Sequence, residues 1–316
     1  MGAAPMVDDP INAIVSHIVG EVCDADRPKE KAMIRFGIHS SLWTSAWTRE
    51  GAELSVRDAA RCGLEVVEIA LLEPDKVDVA HSLELFKRYN VAPTASLGLP
   101  MEACAPLHPE KAQAFLLRAL DVAHALGCNT LTGVTYSTLG YRSGSPPTRQ
   151  EYDNVARALK PVAKRAGDYG MTLGLEPCNR YETHLLNTAK QTTDLMALIS
   201  EPALMIHLDT YHTNIEEKGF GAALADGAGR VRYVHLSESD RGVPGSGNID
   251  WRSVMTALKA ANFSGDLVGE SFVNMMPQLA SALSVWRPVA RDRDEVLDIG
   301  LPFLRSLARA TGLITA

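Results

Sequence analysis

The chain has 316 residues, of which 46% are hydrophobic, and carries a formal net charge of -7. That length and composition support one large domain with a full core. The acidic balance, without a cluster of Lys and Arg, excludes the basic surface that nucleic-acid binding requires, and no apolar stretch is long enough to span a membrane.

Residues 1–33 precede the first predicted strand and form an N-terminal extension. Its sequence lacks the basic start and long apolar core of a secretory signal. The segment INAIVSHIVGEV has apolar residues at helical spacing, which predicts a short helix that packs on the domain or on a neighbouring subunit. A start without regular structure fits the same residues equally well.

Cysteine usage indicates the cellular compartment. The cysteines are scattered and show no CxxC spacing, which disfavours a disulfide framework and a zinc knuckle: Cys23, Cys62, Cys104, Cys128 and Cys178. We therefore expect a soluble protein of the reducing cytoplasm.

From Ile34 onward, short apolar runs alternate with helix-length segments, which is the pattern of a parallel α/β fold. We count eight such pairs and predict a single (β/α)8 TIM barrel over residues 34–316. The predicted strands are Arg35–His39, Val66–Ala70, Ala92–Leu97, Thr130–Val134, Thr172–Glu176, Met205–Asp209, Arg232–Leu236 and Leu267–Glu270. Amphipathic segments such as Pro109–Ala125 predict the intervening helices, and glycines in RCGLEV, HALGCN and DYGMTL mark helix ends.

Two stretches interrupt this alternation. Gly140–Gln150, rich in Gly, Ser and Pro, follows the fourth predicted strand, and Ser237–Trp251 follows the seventh. Both lie on the side where a barrel builds its active site, so we expect both to be substrate loops.

Four acidic or imidazole side chains stand at the ends of the last four predicted strands: Glu176, Asp209, His235 and Glu270. In a parallel barrel these strand ends meet at one mouth, so the side chains are expected to lie close together. Glu176 alone could be satisfied by Arg180 or by backbone donors. Three unpaired buried carboxylates would repel one another, whereas a divalent cation removes that cost. An oxygen-rich site with one nitrogen favours an ion such as Mn²⁺, Co²⁺ or Mg²⁺.

Further polar residues follow these positions on the same predicted loops. Glu182, His212 and Arg241 would each, taken alone, be interpreted as a solvated charge. Together with the four strand-end residues they predict a ring of donors and acceptors for a polyol. His207 lies two residues before Asp209 and therefore points to the same face of its strand. We interpret His207 as a core histidine below the site, with metal ligation as the alternative.

Longer motifs around these residues resemble a known family. GLEPCNRYETHLLNTA, LDTYHTNIEE, HLSESDRGVPGSGNIDW and GESF are similar to the ketose 3-epimerases (D-tagatose, D-psicose and L-ribulose 3-epimerases) of the xylose isomerase-like TIM barrel superfamily. The resemblance extends over roughly 34–307 and includes FGIHSSLWTSAW at the start of the predicted barrel.

The resemblance implies an isomerase that epimerises free ketoses at C3. Glu176, Asp209, His235 and Glu270 would bind the metal, Mn²⁺ in the first place, with Co²⁺ and Mg²⁺ as further candidates. Glu176 and Glu270 would also act as acid and base on opposite faces of the sugar, through a cis-enediolate.

Glu182, His212 and Arg241 match the positions that bind the sugar in this family. A homodimer or homotetramer is also implied. Neither a GxGxxG motif after the first strand nor a P-loop is present, so we expect no nicotinamide, flavin or phosphate cofactor.

Some residues depart from the family pattern. His39 stands where tyrosine is frequent, Leu236 and Ser237 change HTGE to HLSE, and Ser271 replaces a frequent proline. The shape of the pocket around the far end of the sugar is therefore open. The role of residues 1–33, which have no counterpart in this family, is open as well. Two alternatives follow: a metal-dependent lyase that eliminates the aglycone of a 3-oxo-glycoside, and an aldose-ketose isomerase. A sugar-binding module without activity is disfavoured because every proposed ligand and base is present.

Overall fold

Eight strands form a closed barrel in which every pairing is parallel and β1 pairs with both β2 and β8. The computed structural model describes residues 34–273 and 283–315. The strands are β1 Ile34–His39, β2 Val66–Ala70, β3 Ala92–Gly98, β4 Thr130–Val134, β5 Thr172–Leu175, β6 Leu204–Asp209, β7 Val231–Leu236 and β8 Gly265–Gly269. The predicted (β/α)8 barrel is confirmed, while the extension over residues 1–33 and its predicted helix lie outside the described residues.

Helices follow the strands around the outside of the barrel. In the described ranges the α-helices of seven or more residues are α1 Arg49–Arg61, α2 Val79–Tyr89, α3 Pro109–Ala125, α4 Arg149–Asp168, α5 Ala189–Ile199, α6 Thr210–Glu216, α7 Phe220–Asp226, α8 Trp251–Ala260 and α9 Leu301–Ala310. Helix α3 has the predicted bounds. Within these ranges, none of the helices combines the length and apolarity needed to cross a membrane.

Helix ends follow the local sequence signals. The Thr148 hydroxyl oxygen accepts a hydrogen bond from the backbone N–H of Glu151 at the start of α4, and the Glu151 carboxylate accepts one from the backbone N–H of Thr148, which together form a capping box. The glycines expected after helices, Gly63, Gly127 and Gly170, all have positive φ angles, between 63° and 77°. This backbone conformation carries no Cβ penalty in glycine and ends each helix so that the next strand can begin.

The core has an apolar layer outside the barrel and a more polar interior. On α3, Ala112, Leu116, Leu120 and Ala123 are buried in one cluster with strand residues such as Leu131. Inside the barrel, Met205, Tyr233 and Val268 form a separate small cluster. Buried polar side chains lie on the strands as well: Glu68, Thr94, Thr132 and His207. This polar layer lies inside the barrel, below the strand-end residues.

Strand ends place the predicted ligands at one mouth of the barrel. Asp209 is the last residue of β6 and His235 is the second-last residue of β7. Glu176 and Glu270 directly follow β5 and β8, one residue beyond the strands rather than inside them as predicted. This small shift leaves all four side chains at the same level of the barrel.

Candidate metal centre and active site

The structure brings the four strand-end residues together around one atom. His235 Nδ1 lies 3.7 Å from Glu176 Oε1, 3.7 Å from Asp209 Oδ2 and 3.4 Å from Glu270 Oε1. All four side chains are buried. Residues that are far apart in sequence thus form one compact cluster of three carboxylates and an imidazole.

This cluster fits a divalent cation. Among the described residues His235 Nδ1 has no hydrogen-bond partner, although the atom is buried. A buried nitrogen surrounded by carboxylate oxygens is costly unless a proton or a cation lies between them. The ligand atoms of Asp209, His235 and Glu270 lie close enough to one another to share one ion. Three oxygen donors and one nitrogen donor suit Mn²⁺, Co²⁺ or Mg²⁺.

Asp209 is held in place by two neighbouring elements. Its Oδ1 accepts a hydrogen bond from the backbone N–H of His212 at 3.3 Å and thereby caps α6. Ser237 Oγ donates to Asp209 Oδ2 at 2.9 Å and lies 3.2 Å from Glu270 Oε2. Burial opposes ionisation, but the nearby His212 and Arg241 side chains hold the pKa of Asp209 below its usual range. Ser237, which departs from the family pattern in sequence, therefore orients two of the proposed ligands.

Without a cation, two members of the cluster, Glu176 and His235, hold their protons to higher pH than usual because their pKa values are raised. Burial raises the pKa of the Glu176 carboxyl well above its usual range, and the charges of Glu270 and Asp209 raise it further. Burial disfavours the charged form of His235, yet the carboxylates of Glu68 and Glu270 raise its pKa well above the ordinary value. A divalent ion would have to displace these protons, so its binding should depend on pH.

A second layer lies beneath His235. Glu68, on β2, is fully buried, and its Oε2 lies 2.7 Å from His235 Nε2 and 2.8 Å from the Tyr233 hydroxyl. Glu68 was not predicted as a site residue, because a single acid inside the apolar strand VVEIA shows no partner in the sequence. The spacing within β2 could have indicated that it faces the barrel interior.

The three predicted sugar-binding residues also meet at this mouth. Arg241 Nη2 lies 3.1 Å from Glu270 Oε2 and Arg241 Nη1 lies 3.5 Å from Glu182 Oε1. His212 Nε2 lies 3.5 Å from Arg241 Nη2 and 3.9 Å from Glu176 Oε1. Each of the three is buried, so none of them is a solvated loop charge.

Asn179, which was not predicted as a site residue, holds two of these side chains in place. Its side-chain nitrogen lies 2.9 Å from Glu182 Oε1 and 2.9 Å from His212 Nδ1. Its backbone N–H also donates to His212 Nδ1 at 3.2 Å. Because Nδ1 accepts these bonds, Nε2 of the neutral imidazole carries the hydrogen and faces the site as a donor.

Arg241 enters the site from a strained loop. Its φ angle is 63°, a left-handed value that is unusual for a residue other than glycine. The guanidinium lies 4.5 Å from the centre of the Tyr211 ring and 4.7 Å from that of Phe272. Cation–π contacts with these two rings help to hold the guanidinium at the mouth of the barrel.

The sequence left open whether His207 is a core residue or a metal ligand, and whether Arg180 pairs with Glu176. His207 is fully buried, its Nδ1 lies 3.1 Å from Thr132 Oγ1, and its ring packs edge-on against His235. This position matches a core histidine, although Glu176, His207 and His235 also form a group close enough to share an ion. Arg180 pairs with Glu216 at 2.9 Å and is therefore engaged away from Glu176.

A cavity opens above the cluster. Its polar side includes Glu176, Glu182, His212, His235, Arg241 and Glu270, and its apolar wall includes Leu72, Leu97, Val134 and Leu139. His39 also lines it, with Nδ1 2.6 Å from Ser41 Oγ. The loop over Ser237–Trp251 contributes Arg241, as expected for a substrate loop. In the described chain the cavity lining includes Leu139 but no residue of Gly140–Gln150, and a substrate role for that loop stays a prediction.

Comparison with known proteins places this site in context. Residues 56–305 match the family model described as xylose isomerase-like TIM barrel. The L-ribulose 3-epimerase of Methylomonas sp. strain DH-1 is 37% identical over 86% of this chain and 97% of its own length. The ketose 3-epimerase of Arthrobacter globiformis is 35% identical over 83% of this chain and 93% of its own length. The crystal structure of a Methylomonas D-allulose 3-epimerase with D-allulose superposes with a TM-score of 0.83 at 36% identity, covering 87% of this chain and 97% of that one.

Proposed function

The chain belongs to the xylose isomerase-like TIM barrel family and, within it, to the ketose 3-epimerases, and we propose that it epimerises free ketoses at C3 with a bound divalent metal ion. It is an enzyme of the isomerase class. Mn²⁺ is the first candidate for the ion, with Co²⁺ and Mg²⁺ next.

The observation that supports this proposal most strongly is the environment of one nitrogen. His235 Nδ1 faces carboxylate oxygens of Glu176, Asp209 and Glu270 at 3.4 to 3.7 Å and has no hydrogen-bond partner in the described residues. We assign these four residues as the ligands. When bound, a divalent ion would act as a Lewis acid and stabilise negative charge on the sugar oxygens.

Glu176 and Glu270 are assigned as the acid/base pair. C3 epimerisation requires a proton to leave from one face of the carbon and a proton to return on the other face. One carboxylate would remove the C3 proton to give a cis-enediolate, and the other, protonated, would return a proton to the opposite face. Both side chains line the cavity above the cluster, where an acid/base pair would have to reach the sugar.

Arg241, His212 and Glu182 are assigned to the sugar hydroxyl and carbonyl oxygens. The Arg241 guanidinium and His212 Nε2–H are donors, and the Glu182 carboxylate is an acceptor. Among the described residues Glu182 Oε2 is buried without a hydrogen-bond partner, so it is available to accept from a hydroxyl. Donors and acceptors of this kind around one cavity suit a polyol better than an apolar ligand.

The substrate class follows from the relatives. Because they are an L-ribulose 3-epimerase and a D-allulose 3-epimerase, we propose a free ketopentose or ketohexose. A homodimer or homotetramer stays a prediction, to be tested by light scattering of the purified full chain.

A substrate panel tests the proposed function. Chelator-treated protein should be inactive, and reloading with Mn²⁺ should restore conversion of L-ribulose, D-allulose, D-fructose and D-tagatose to their C3 epimers. Formation of an aldose would instead identify an aldose-ketose isomerase. Inertness toward every free ketose, together with release of the aglycone from a 3-oxo-glycoside, would identify the lyase.

A further inference from the structure

A buried acid reaches the proposed metal ligand from the far side of the imidazole. Glu68 is 0% exposed, and its Oε2 lies 2.7 Å from His235 Nε2. The same oxygen accepts the hydroxyl hydrogen of Tyr233 at 2.8 Å, and Thr94 Oγ1 lies 2.8 Å from that hydroxyl. Side chains from β2, β3 and β7 therefore form one hydrogen-bond chain inside the barrel that ends at His235.

The direction of these bonds determines which nitrogen of His235 carries the hydrogen. An ionised carboxylate can only accept, so the hydrogen shared with Glu68 belongs to Nε2 of the imidazole. In the neutral ring the lone pair then lies on Nδ1, which is the nitrogen that faces the three carboxylates. With the opposite tautomer, Nδ1–H would point at the cation site and His235 could not bind the ion through that atom.

Burying the Glu68 carboxylate costs free energy, which indicates that its contact with the His235 imidazole has a functional role. A buried carboxylate loses its hydration, and an apolar side chain of similar size would fill the same space without that cost. Glu68 Oε1 has no hydrogen-bond partner among the described residues and lies 3.8 Å from His39 Nε2, too far for a hydrogen bond. The close contacts of this carboxylate are thus those made by Oε2 with His235 and Tyr233.

We propose that Glu68 is a positioning residue that fixes the Nε2–H tautomer of His235 and so presents Nδ1 to the divalent ion. This inference rests on the proposed metal site. It adds to that site the residue that decides how the single nitrogen ligand is oriented and how strongly it binds, since a carboxylate partner also makes the imidazole a better donor to a metal.

Two substitutions at Glu68 test the effect on metal affinity. Glu68→Leu removes the acceptor, and Glu68→Gln keeps a neutral acceptor of the same size. We expect the Mn²⁺ dissociation constant, measured by competition with a chelator, to rise by about 10- to 100-fold in Glu68→Leu and by less in Glu68→Gln. Asp266→Asn is the matched control, because Asp266 is another largely buried acid but pairs with Arg35 at 2.7 Å near the start of β8, away from the mouth. It should keep the wild-type affinity.

The wild-type protein provides a test that does not depend on the variants folding. In the Zn²⁺-loaded protein labelled with ¹⁵N-histidine, long-range ¹H–¹⁵N spectra should show His235 with a protonated Nε2 and an unprotonated Nδ1. A protonated Nδ1 would overturn the inference, and so would wild-type Mn²⁺ affinity in a folded Glu68→Leu protein. If the wild-type chain bound no divalent ion at all, the proposed metal site would fail together with this inference, whereas the other two outcomes leave the metal site standing.

Discussion

Replacing Glu270 by Gln removes a charge and a base from the centre of the site without changing the size of the side chain. Glu270 Oε2 lies 3.1 Å from Arg241 Nη2 and 3.2 Å from Ser237 Oγ, while Oε1 lies 3.4 Å from His235 Nδ1. Glutamine can keep contacts with Ser237 through its carbonyl oxygen. It cannot take up a proton from C3.

The expected loss of rate is large compared with the loss of stability. A positioned acid/base group contributes a factor of about 10² to 10⁴, which corresponds to roughly 2.7 to 5.4 kcal/mol of activation free energy. Arg241 keeps its second acid partner, Glu182, at 3.5 Å. The loss of one buried charged hydrogen bond should therefore destabilise the fold by about 1 to 3 kcal/mol, within the stability of an ordinary domain.

The assay compares turnover and metal content in the same samples. For Glu270→Gln at saturating Mn²⁺ and ketose, we expect kcat to fall by about 10² to 10⁴ while the folded protein still binds one ion per chain. Asp266→Asn, a loss of charge near the opposite end of the same strand, should leave kcat unchanged and lower only the melting temperature. A Glu270→Gln protein that turns over at the wild-type rate would refute the assigned role of this carboxylate.

Three further predictions follow from the site and its strands. His212→Ala should lower kcat/KM by about 10- to 100-fold, chiefly through KM, because it removes a proposed hydrogen bond to the sugar; initial rates over a range of ketose concentrations measure this. Gly133→Ala should lower the free energy of unfolding, measured with denaturant, by about 1 to 3 kcal/mol. The φ angle of Gly133 is 95°, and an added Cβ would lie 2.6 Å from a backbone oxygen of β3. The rise in melting temperature caused by Mn²⁺ should be greater near pH 8 than near pH 5. The pKa values of Glu176 and His235 are raised in the metal-free fold, so these groups stabilise that fold while they hold protons and lose this contribution as pH rises. Mn²⁺ also has fewer protons to displace at the higher pH.

Controls separate the causes behind these three effects. Gly140 also has a positive φ, 82°, but a Cβ there would meet nothing within 4 Å, so Gly140→Ala should be the milder change. Equal destabilisation by the two glycine variants would contradict the contact argument. For His212→Ala, an unchanged KM with a loss of kcat as large as that of Glu270→Gln would move the residue into the acid/base machinery. A metal-induced shift that shrinks as pH rises would contradict the proposed displacement of protons.

The barrel and the four proposed ligands could be anticipated because both depend on local patterns. Short apolar runs define the strands, and strand ends in a parallel barrel have to meet, so Asp209 and His235 could be placed together without knowledge of the tertiary structure. The helix ends at Gly63, Gly127 and Gly170 follow from the same kind of local rule.

Residues that support the site could not be anticipated in this way. Glu68 and Asn179 act through partners on other strands and loops, 167 and 33 positions away in sequence. No single-sequence pattern encodes those distances. The left-handed backbone conformation of Arg241 could not be predicted either, because arginine gives no local sequence signal for a positive φ.

The most direct test of the account is the fate of the hydrogen on C3. Incubating the Mn²⁺-loaded protein with L-ribulose or D-allulose in D₂O should give C3-inverted product that carries solvent deuterium at C3, with none at C1. Deuterium at C1 without inversion at C3, or inverted product that retains its original hydrogen at C3, would contradict the assignment of Glu176 and Glu270 as an acid/base pair acting on opposite faces of that carbon.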